Sequence, residues 1–210
     1  MDPIAVNVLM DPDAETVERA RAVNARLRAD FPQGFAFDSN HAPHVTLVQC
    51  FIDRGKLVEA AQAVSAALLA TGPTDWKSKA TGLYALSDGK LGLVGIVIAP
   101  TDDFRRVQQR IVDVISPFTT GAGTAAAFAP RLDGEAIGQA TVDYVKGFIG
   151  ASTGQSYNAH LTVGIGTNDF VAALKAEPFE SFPVRAVSVS LYQLGDYGVA
   201  QKKLGHLHDC

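Results

Sequence analysis

The sequence predicts an α+β fold, and two observations support this. Short segments rich in β-branched and aliphatic residues alternate with segments in which apolar residues recur at helical spacing. No stretch between them has the length and polarity of an interdomain linker. A chain of 210 residues can bury a substantial core. We therefore predict one domain over residues 1–210.

The first half of the chain is predicted to contain four strands and two helices. Asp11 and Pro12 provide a cap and a first-turn proline for the first helix, and Leu57, Val64 and Leu68 share one face of the second. The turn Ser-Asp-Gly-Lys joins the last two strands as a hairpin. The predicted elements are a strand at residues 4–10, a helix to about residue 30, a strand at 44–52, a helix near 57–68, and strands at 76–86 and 91–99.

The second half is predicted to begin with a helix that Thr101 caps and that buries Phe104, Val107 and Ile111. Small residues and glycines then mark a crossover between the two halves of the chain within residues 117–130. The remaining predicted elements are a helix from about 134 to 148, a strand from 160, a short helix at 169–175, and closing strands at 184–194 and 199–204.

One short pattern occurs twice: a histidine, an apolar residue, a threonine and another apolar residue. The copies stand at residues 44–47 and 160–163, each in a run typical of a strand. Because strand side chains alternate between two faces, each histidine and threonine should share one face. Gly164 and Gly166 would continue on the face of His160 and, having no side chains, would leave space for a ligand beside it. Two such pairs facing each other would surround an anion with hydroxyl donors and with imidazoles that titrate near neutrality.

The paired motifs resemble those of the 2H phosphoesterase superfamily, which includes 2′-5′ RNA ligase-like proteins and cyclic phosphodiesterases. The stretch His-Ala-Pro-His-Val-Thr-Leu at 41–47 is similar to the family's Pro-His-x-Thr-Leu. The second copy departs mildly, with Asn158-Ala159 where many members have a proline. The resemblance implies two pseudo-symmetric lobes, each with an antiparallel sheet and outer helices, flanking a central cleft. It also implies cleavage of a cyclic or 2′-5′ phosphodiester without a metal or cofactor.

The same chemistry can be argued from the residues. A neutral histidine can take a proton from the attacking water, while a protonated one gives a proton to the departing ribose oxygen. We therefore expect His44 and His160 to be the catalytic acid–base pair, with the two roles unassigned. Thr46 and Thr162 would donate hydrogen bonds to the non-bridging phosphate oxygens. Tyr192 and Tyr197 are weaker predictions for stacking on the base, because the family's closing strands border the cleft.

Three other functions stay open. The chain could work reversibly on RNA ends as a 2′-5′ ligase, or bind a nucleotide as a sensor with the same pocket. A metallohydrolase would need carboxylates near the histidines, and Asp38 and Asp169 are the nearby candidates. His206 and His208 are read as part of a solvated terminus, and His41 as a loop residue. No metal site is predicted.

The composition limits the classes of molecule that the chain is expected to bind. The formal net charge of −4 argues against a broad grip on long double-stranded nucleic acid, and favours a small nucleotide or an RNA end with a 2′,3′-cyclic phosphate. The two cysteines suggest neither a disulfide framework nor a zinc site. We find no signal peptide or membrane segment in the sequence and expect a cytoplasmic monomer.

Overall fold

The computed structural model describes residues 2–38, 40–71, 78–131 and 134–210, and it confirms the α+β class. Within these ranges the chain forms two antiparallel four-stranded sheets and five α-helices. The elements are β1 (Pro3–Pro12), α1 (Ala14–Asp30), β2 (Val45–Asp53), α2 (Leu57–Thr71), β3 (Ser78–Asp88), β4 (Leu91–Pro100), α3 (Asp102–Ile115), α4 (Gln139–Ala151), β5 (His160–Thr167), α5 (Asn168–Ala176), β6 (Phe182–Val184), β7 (Ala186–Leu194) and β8 (Ala200–Asp209).

Each sheet carries one of the two motif strands at its edge. The strand order is β2-β1-β7-β8 in the first sheet and β5-β4-β3-β6 in the second. The lobes are therefore not the two halves of the chain, because the first sheet draws its last two strands from the C-terminal end. Both lobes nevertheless contain a strand, a helical segment, the motif strand and a further helix in that order. The helical segment is α1 in the run from β1 to α2, and α3 with α4 in the run from β4 to α5.

One apolar core runs beneath both sheets. Strand β1 alternates strictly: Val6 and Val8 belong to this core together with Ile96 of the second sheet and Phe104 and Ile111 of α3. The other face of β1 carries Ala5, Asn7 and Leu9, of which Ala5 and Leu9 belong to two smaller apolar clusters. Asn7 lies between those clusters, on the face that holds the candidate site.

Both motif strands contain a β-bulge at the same motif position. Val8 pairs with Val48 and Leu9 with Thr46, so Leu47 is the extra residue in β2. Val94 pairs with Gly164 and Gly95 with Thr162, so Val163 is the extra residue in β5. The extra residue of a bulge has no paired residue on the neighbouring strand. Each bulge carbonyl instead accepts a hydrogen bond from a buried helix amide, Gln108 to Leu47 at 3.0 Å and Asn24 to Val163 at 2.8 Å.

The prediction that Gly164 and Gly166 leave space for a ligand beside His160 is wrong because of the bulge in β5. The extra residue reverses the alternation, so both glycines face helix α1. A Cβ added at either position would lie 2.9 Å from a methyl carbon of Leu27. Glycine is present here because a helix approaches the strand closely, not because a ligand does.

Several predicted boundaries were wrong for local reasons. Helix α1 begins at Ala14 with Asp13 as its cap, because Asp11 and Pro12 belong to β1 and pair with β7. Helix α4 begins at Gln139 rather than near 134, since Gly134 has a φ of +76° that no helix uses. The predicted strand over 184–194 is split at Arg185 into β6 and β7.

The C-terminal segment was also misread. Strand β8 continues to Asp209, and His206 and His208 pair with Ser190 and Val189 of β7. They are therefore sheet residues rather than parts of a solvated terminus. The predicted start of β3 at Trp76 lies outside the described residues. Across the described ranges, no helix is both long and apolar enough to cross a membrane.

Candidate active site

The first half of the candidate site lies at the start of β2. His44 immediately precedes this strand, and its Nδ1 atom lies 2.7 Å from the carbonyl oxygen of Ala42. Its Nε2 atom lies 3.3 Å from the amide nitrogen of Asn7 on the neighbouring strand β1. The same amide nitrogen donates to the hydroxyl of Thr46 at 3.1 Å. One buried amide thus holds both side chains of the first motif.

The second half of the site lies at the start of β5. The Nδ1 atom of His160 is 2.8 Å from the carbonyl oxygen of Asn158. The ring of Tyr84, from β3, meets the imidazole edge to face at 4.9 Å between centroids, and its hydroxyl lies 3.5 Å from that of Thr162. Tyr84 reaches β5 across Gly95 of the intervening strand β4, where any Cβ would overlap the tyrosine ring.

Both imidazoles are fixed in the same way. In each, Nδ1 faces the carbonyl of the residue two positions earlier, and a carbonyl oxygen can only accept. Nδ1 therefore keeps its hydrogen in the neutral and in the charged ring. The proton that is gained or lost must sit on Nε2, which is the arrangement a proton-transfer catalyst needs.

The two halves meet along the motif strands. Strands β2 and β5 are in contact, and the hydroxyl of Tyr157, just before β5, donates to the carbonyl of Thr46 in β2 at 2.7 Å. The imidazoles are close enough for a charge on His160 to lower the pKa of His44. The structure thus brings His44, Thr46, His160 and Thr162, all predicted from the sequence, to one lobe junction.

Burial lowers the pKa of both histidines. For His44, desolvation has the largest effect; the bond to Ala42 raises the pKa, the charge of His160 lowers it, and that of Asp11 raises it. For His160, desolvation lowers the pKa and the bond to Asn158 raises it. Desolvation has this effect because a low-polarity surrounding disfavours the charged ring. Both rings therefore favour the neutral form more than a histidine in water does.

Of the two residues predicted to stack on a base, Tyr192 lies beside the site, and Tyr197 lies in the turn between β7 and β8. Tyr192 is opposite Asn7 on β7, but its ring is buried, with the ammonium of Lys203 5.9 Å from the centroid. Tyr197 is 78% exposed and has a backbone φ of +56°. Its backbone N–H donates to the hydroxyl of Thr141 and to the carboxylate of Asp196. Stacking by either residue stays a prediction. Tyr84 is the tyrosine that directly contacts a motif histidine.

The other titratable residues raised from the sequence do not assemble around the motifs. Asp38 lies 3.5 Å from Nδ1 of His41, whose ring stacks on Phe35, and Asp169 stands in the first turn of α5. Nε2 of His206 lies 3.2 Å from a carboxylate oxygen of Asp209. In the described part of the chain, no group of three or more histidine, cysteine, aspartate or glutamate residues could hold a metal ion.

The sequence did not lead us to predict Asn7 as a site residue, although its position in an apolar strand is unusual for a polar side chain. It is the one polar side chain within the run Ile-Ala-Val-Asn-Val-Leu-Met at residues 4–10. A polar residue in an apolar strand must find a partner, since burying an amide without one is costly. Its fully buried position beside His44 and Thr46 shows what that partner is.

No known protein-family model and no curated protein matches the chain. Among solved structures, it is similar to TT0787 of Thermus thermophilus, with 11% identity and a TM-score of 0.49 over 98% of this chain and 97% of that one. It is also similar to Usb1 of Kluyveromyces marxianus, solved with uridine monophosphate, with 11% identity and a TM-score of 0.47 over 97% and 98%. Similarity at this level says nothing about activity, so function has to be inferred from the geometry of the chain itself.

Proposed function

We propose that the chain is a metal-independent phosphoesterase that hydrolyses a 2′,3′-cyclic nucleotide or a 2′-5′ phosphodiester. The observation that carries this proposal is the pair of imidazoles at one lobe junction, each held through Nδ1 so that Nε2 exchanges the proton. Each has a threonine two residues later on its strand. This constellation suits acid–base catalysis at a phosphate.

In the proposed reaction one neutral imidazole takes a proton from water as the water oxygen bonds to phosphorus. The bond between phosphorus and one ribose oxygen breaks, and the other imidazole protonates that oxygen. The product is a phosphate monoester, and the two histidines exchange their proton states. Thr46 and Thr162 donate to the non-bridging oxygens, whose negative charge grows in the transition state.

A 2′-5′ ligase reaction would use the same two imidazoles on a 2′,3′-cyclic phosphate, with a 5′-hydroxyl in place of water. One imidazole takes the hydroxyl proton as its oxygen bonds to phosphorus, the bond from phosphorus to the 3′ oxygen breaks, and the other imidazole protonates that oxygen. The net charge of −4 supports a small nucleotide or an RNA end as the substrate rather than a long duplex. The apolar core that joins both sheets supports a single domain with two lobes over residues 1–210. A nucleotide sensor would use the same pocket without turnover.

The first experiment is phosphorus NMR of 2′,3′-cyclic AMP incubated with the protein and excess chelator. We expect conversion by the wild type, and a loss of about 100-fold or more in His44→Ala and in His160→Ala. His206→Ala, a change on the edge strand β8, is the matched control and should convert normally. The chemical shift of the product distinguishes a 2′- from a 3′-phosphate.

The other outcomes are equally informative. Activity that chelator abolishes would point to a metallohydrolase. An active His160→Ala variant would overturn the two-histidine mechanism. No conversion of cyclic nucleotides with any of the four bases, followed by no cleavage of 2′-5′-linked dinucleotides, would overturn the hydrolase proposal, and nucleotide binding without turnover would identify a sensor.

A further inference from the structure

We propose that Asn7 is a positioning residue that keeps a lone pair on Nε2 of His44, so that His44 enters the reaction as the proton acceptor and His160 as the donor. This assignment of roles rests on the proposed phosphoesterase function. The state of His44 itself does not, because it follows from hydrogen bonds within the protein.

The first step of the argument is the hydrogen-bond pattern around His44. Nδ1 faces the Ala42 carbonyl and must carry a hydrogen, whereas Nε2 faces the amide nitrogen of Asn7, which can only donate. Nε2 must therefore accept, and the ring is neutral. A proton on Nε2 would set two donors against each other across 3.3 Å.

The second step is the Asn7 amide itself. Its nitrogen uses both hydrogens, one toward Nε2 of His44 and one toward Oγ of Thr46. Its Oδ1 atom is buried and has no hydrogen-bond partner among the described residues. Buried polar atoms without partners are rare in proteins and call for an explanation. Rotation of the amide by half a turn would bring Oδ1 to Nε2 once that atom carries a proton. The amide can then stabilise the imidazolium that forms in the reaction.

The third step is the contrast with the second half-site. Among the described residues, Nε2 of His160 has no hydrogen-bond partner, and the neighbouring polar group is the Tyr84 hydroxyl beside Thr162. A hydroxyl can donate or accept, so it imposes no protonation state. No hydrogen-bond donor described at His160 therefore opposes a proton on Nε2, whereas the Asn7 amide opposes one at His44 until it rotates.

The two charges that act on His44 change its pKa in opposite directions. His160 and Asp11 are the charged groups that act on His44, and the oxygen Oδ2 of Asp11 accepts hydrogen bonds from Ser188 at 2.6 Å and Ser190 at 2.5 Å. A proton on His160 lowers the pKa of His44 and so disfavours a second proton there. Two groups coupled in this way titrate as a pair. This repulsion acts on both rings alike, and Asp11 raises the pKa of His44. The Asn7 donor at His44 therefore decides the order, and the first proton is expected on His160.

The test is the nitrogen-15 spectrum of the imidazoles, followed from pH 9 to pH 4 without any substrate. In the wild type we expect a protonated Nδ1 and an unprotonated Nε2 in His44 at pH 8, with His160 charging first as the pH falls. In Asn7→Asp a carboxylate replaces the donor, so the pKa of His44 should rise by at least about one unit and the order should invert. Asn7→Ala should remove the bias without adding a charge.

The control variant is Asn24→Ala, which removes another buried amide, the one that bonds the Val163 carbonyl. It should leave the titration of His44 as in the wild type. A wild-type His44 with its proton on Nε2 at pH 8 would overturn the proposal, even if no Asn7 variant folded. So would an Asn7→Asp variant in which His44 titrates as before.

Activity separates this proposal from the function on which it rests. If cyclic nucleotides are hydrolysed, the rising limb of the kcat/KM profile should move to higher pH in Asn7→Asp, because that limb reports the base in the free enzyme. An unmoved limb would overturn the role of Asn7 while leaving the phosphoesterase intact. An inactive protein with the expected His44 spectrum would overturn the function and leave the Asn7–His44 relationship standing.

Discussion

The hydroxyl of Tyr157 donates a 2.7 Å hydrogen bond to the carbonyl oxygen of Thr46, 111 positions away in the sequence. Tyr157 is 5% exposed and its ring stacks on Phe104 of helix α3 at 6.0 Å. The residue that leads into the second motif strand is therefore fixed to the first motif. This bond is one of the contacts that join the two motif strands.

Tyr157→Phe tests this link between the lobes. The ring stays packed, but the Thr46 carbonyl loses its donor, so the free energy of unfolding should fall by about 1–3 kcal/mol. Urea unfolding measures this loss. The matched control is Tyr144→Phe on the half-exposed face of α4, which should change stability by less than about 0.5 kcal/mol. Equal effects in the two variants would contradict a specific role for the Tyr157 bond.

Gly164 should not tolerate a side chain. Gly164→Ala places a methyl group 2.9 Å from Leu27, and the backbone φ of +154° is strained for any other residue. We expect a loss of about 1–3 kcal/mol in unfolding free energy. Gly147→Ala in α4 is the counterpart, since a Cβ there meets nothing within 4 Å, and it should stabilise the protein by about 0.5–1 kcal/mol. A neutral Gly164→Ala would contradict the close packing of α1 on β5.

Gly95 is expected to matter for activity rather than for folding. In Gly95→Ala the new methyl group would push the Tyr84 ring away from His160 and Thr162. Misplacement of groups around a catalytic residue reduces rates, and we expect a loss on the order of ten- to a hundredfold in kcat/KM. The control is Gly82→Ala on β3, where a Cβ meets nothing within 4 Å. Wild-type activity in Gly95→Ala would show that the position of Tyr84 is unimportant.

The lowered pKa values of His44 and His160 predict how stability depends on pH. At acidic pH the unfolded chain binds protons at these positions, with an ordinary pKa of 6.5, while the folded chain resists them. Folding therefore loses stability as the pH falls below about 6.5 toward the lowered values. The pKa values of the Asp13 and Asp196 carboxyl groups are also lowered. The stability that these groups provide is lost only as the pH falls below their ordinary pKa of 3.8, so they do not affect the range above it.

Urea unfolding between pH 8 and pH 5 measures this dependence. The double variant His44→Gln/His160→Gln should flatten it, because neither replacement titrates. Gln108→Leu removes the buried amide that links α3 to the Leu47 carbonyl of β2, and it should lower stability equally at all these pH values. An unchanged slope in the double variant would show that the imidazoles are not the groups responsible.

Local pattern was enough to predict much of the protein. The α+β class and most strands and helices follow from the period of apolar residues, which reports the faces that each segment buries. The same period placed each motif histidine on one face with its threonine. These features depend on neighbours a few residues apart, and the sequence displays such neighbours directly.

Only the tertiary structure decided how the motifs are completed. The bulges at Leu47 and Val163 arise where a strand meets its partner, and they turned Gly164 and Gly166 toward α1. Asn7 reaches His44 across 37 positions, and Tyr84 reaches Thr162 across 78. Such contacts depend on strand order and register, which a single sequence does not display. The sequence by itself therefore determined which side chains carry the proposed chemistry, and long-range pairing decided which neighbours set their proton states.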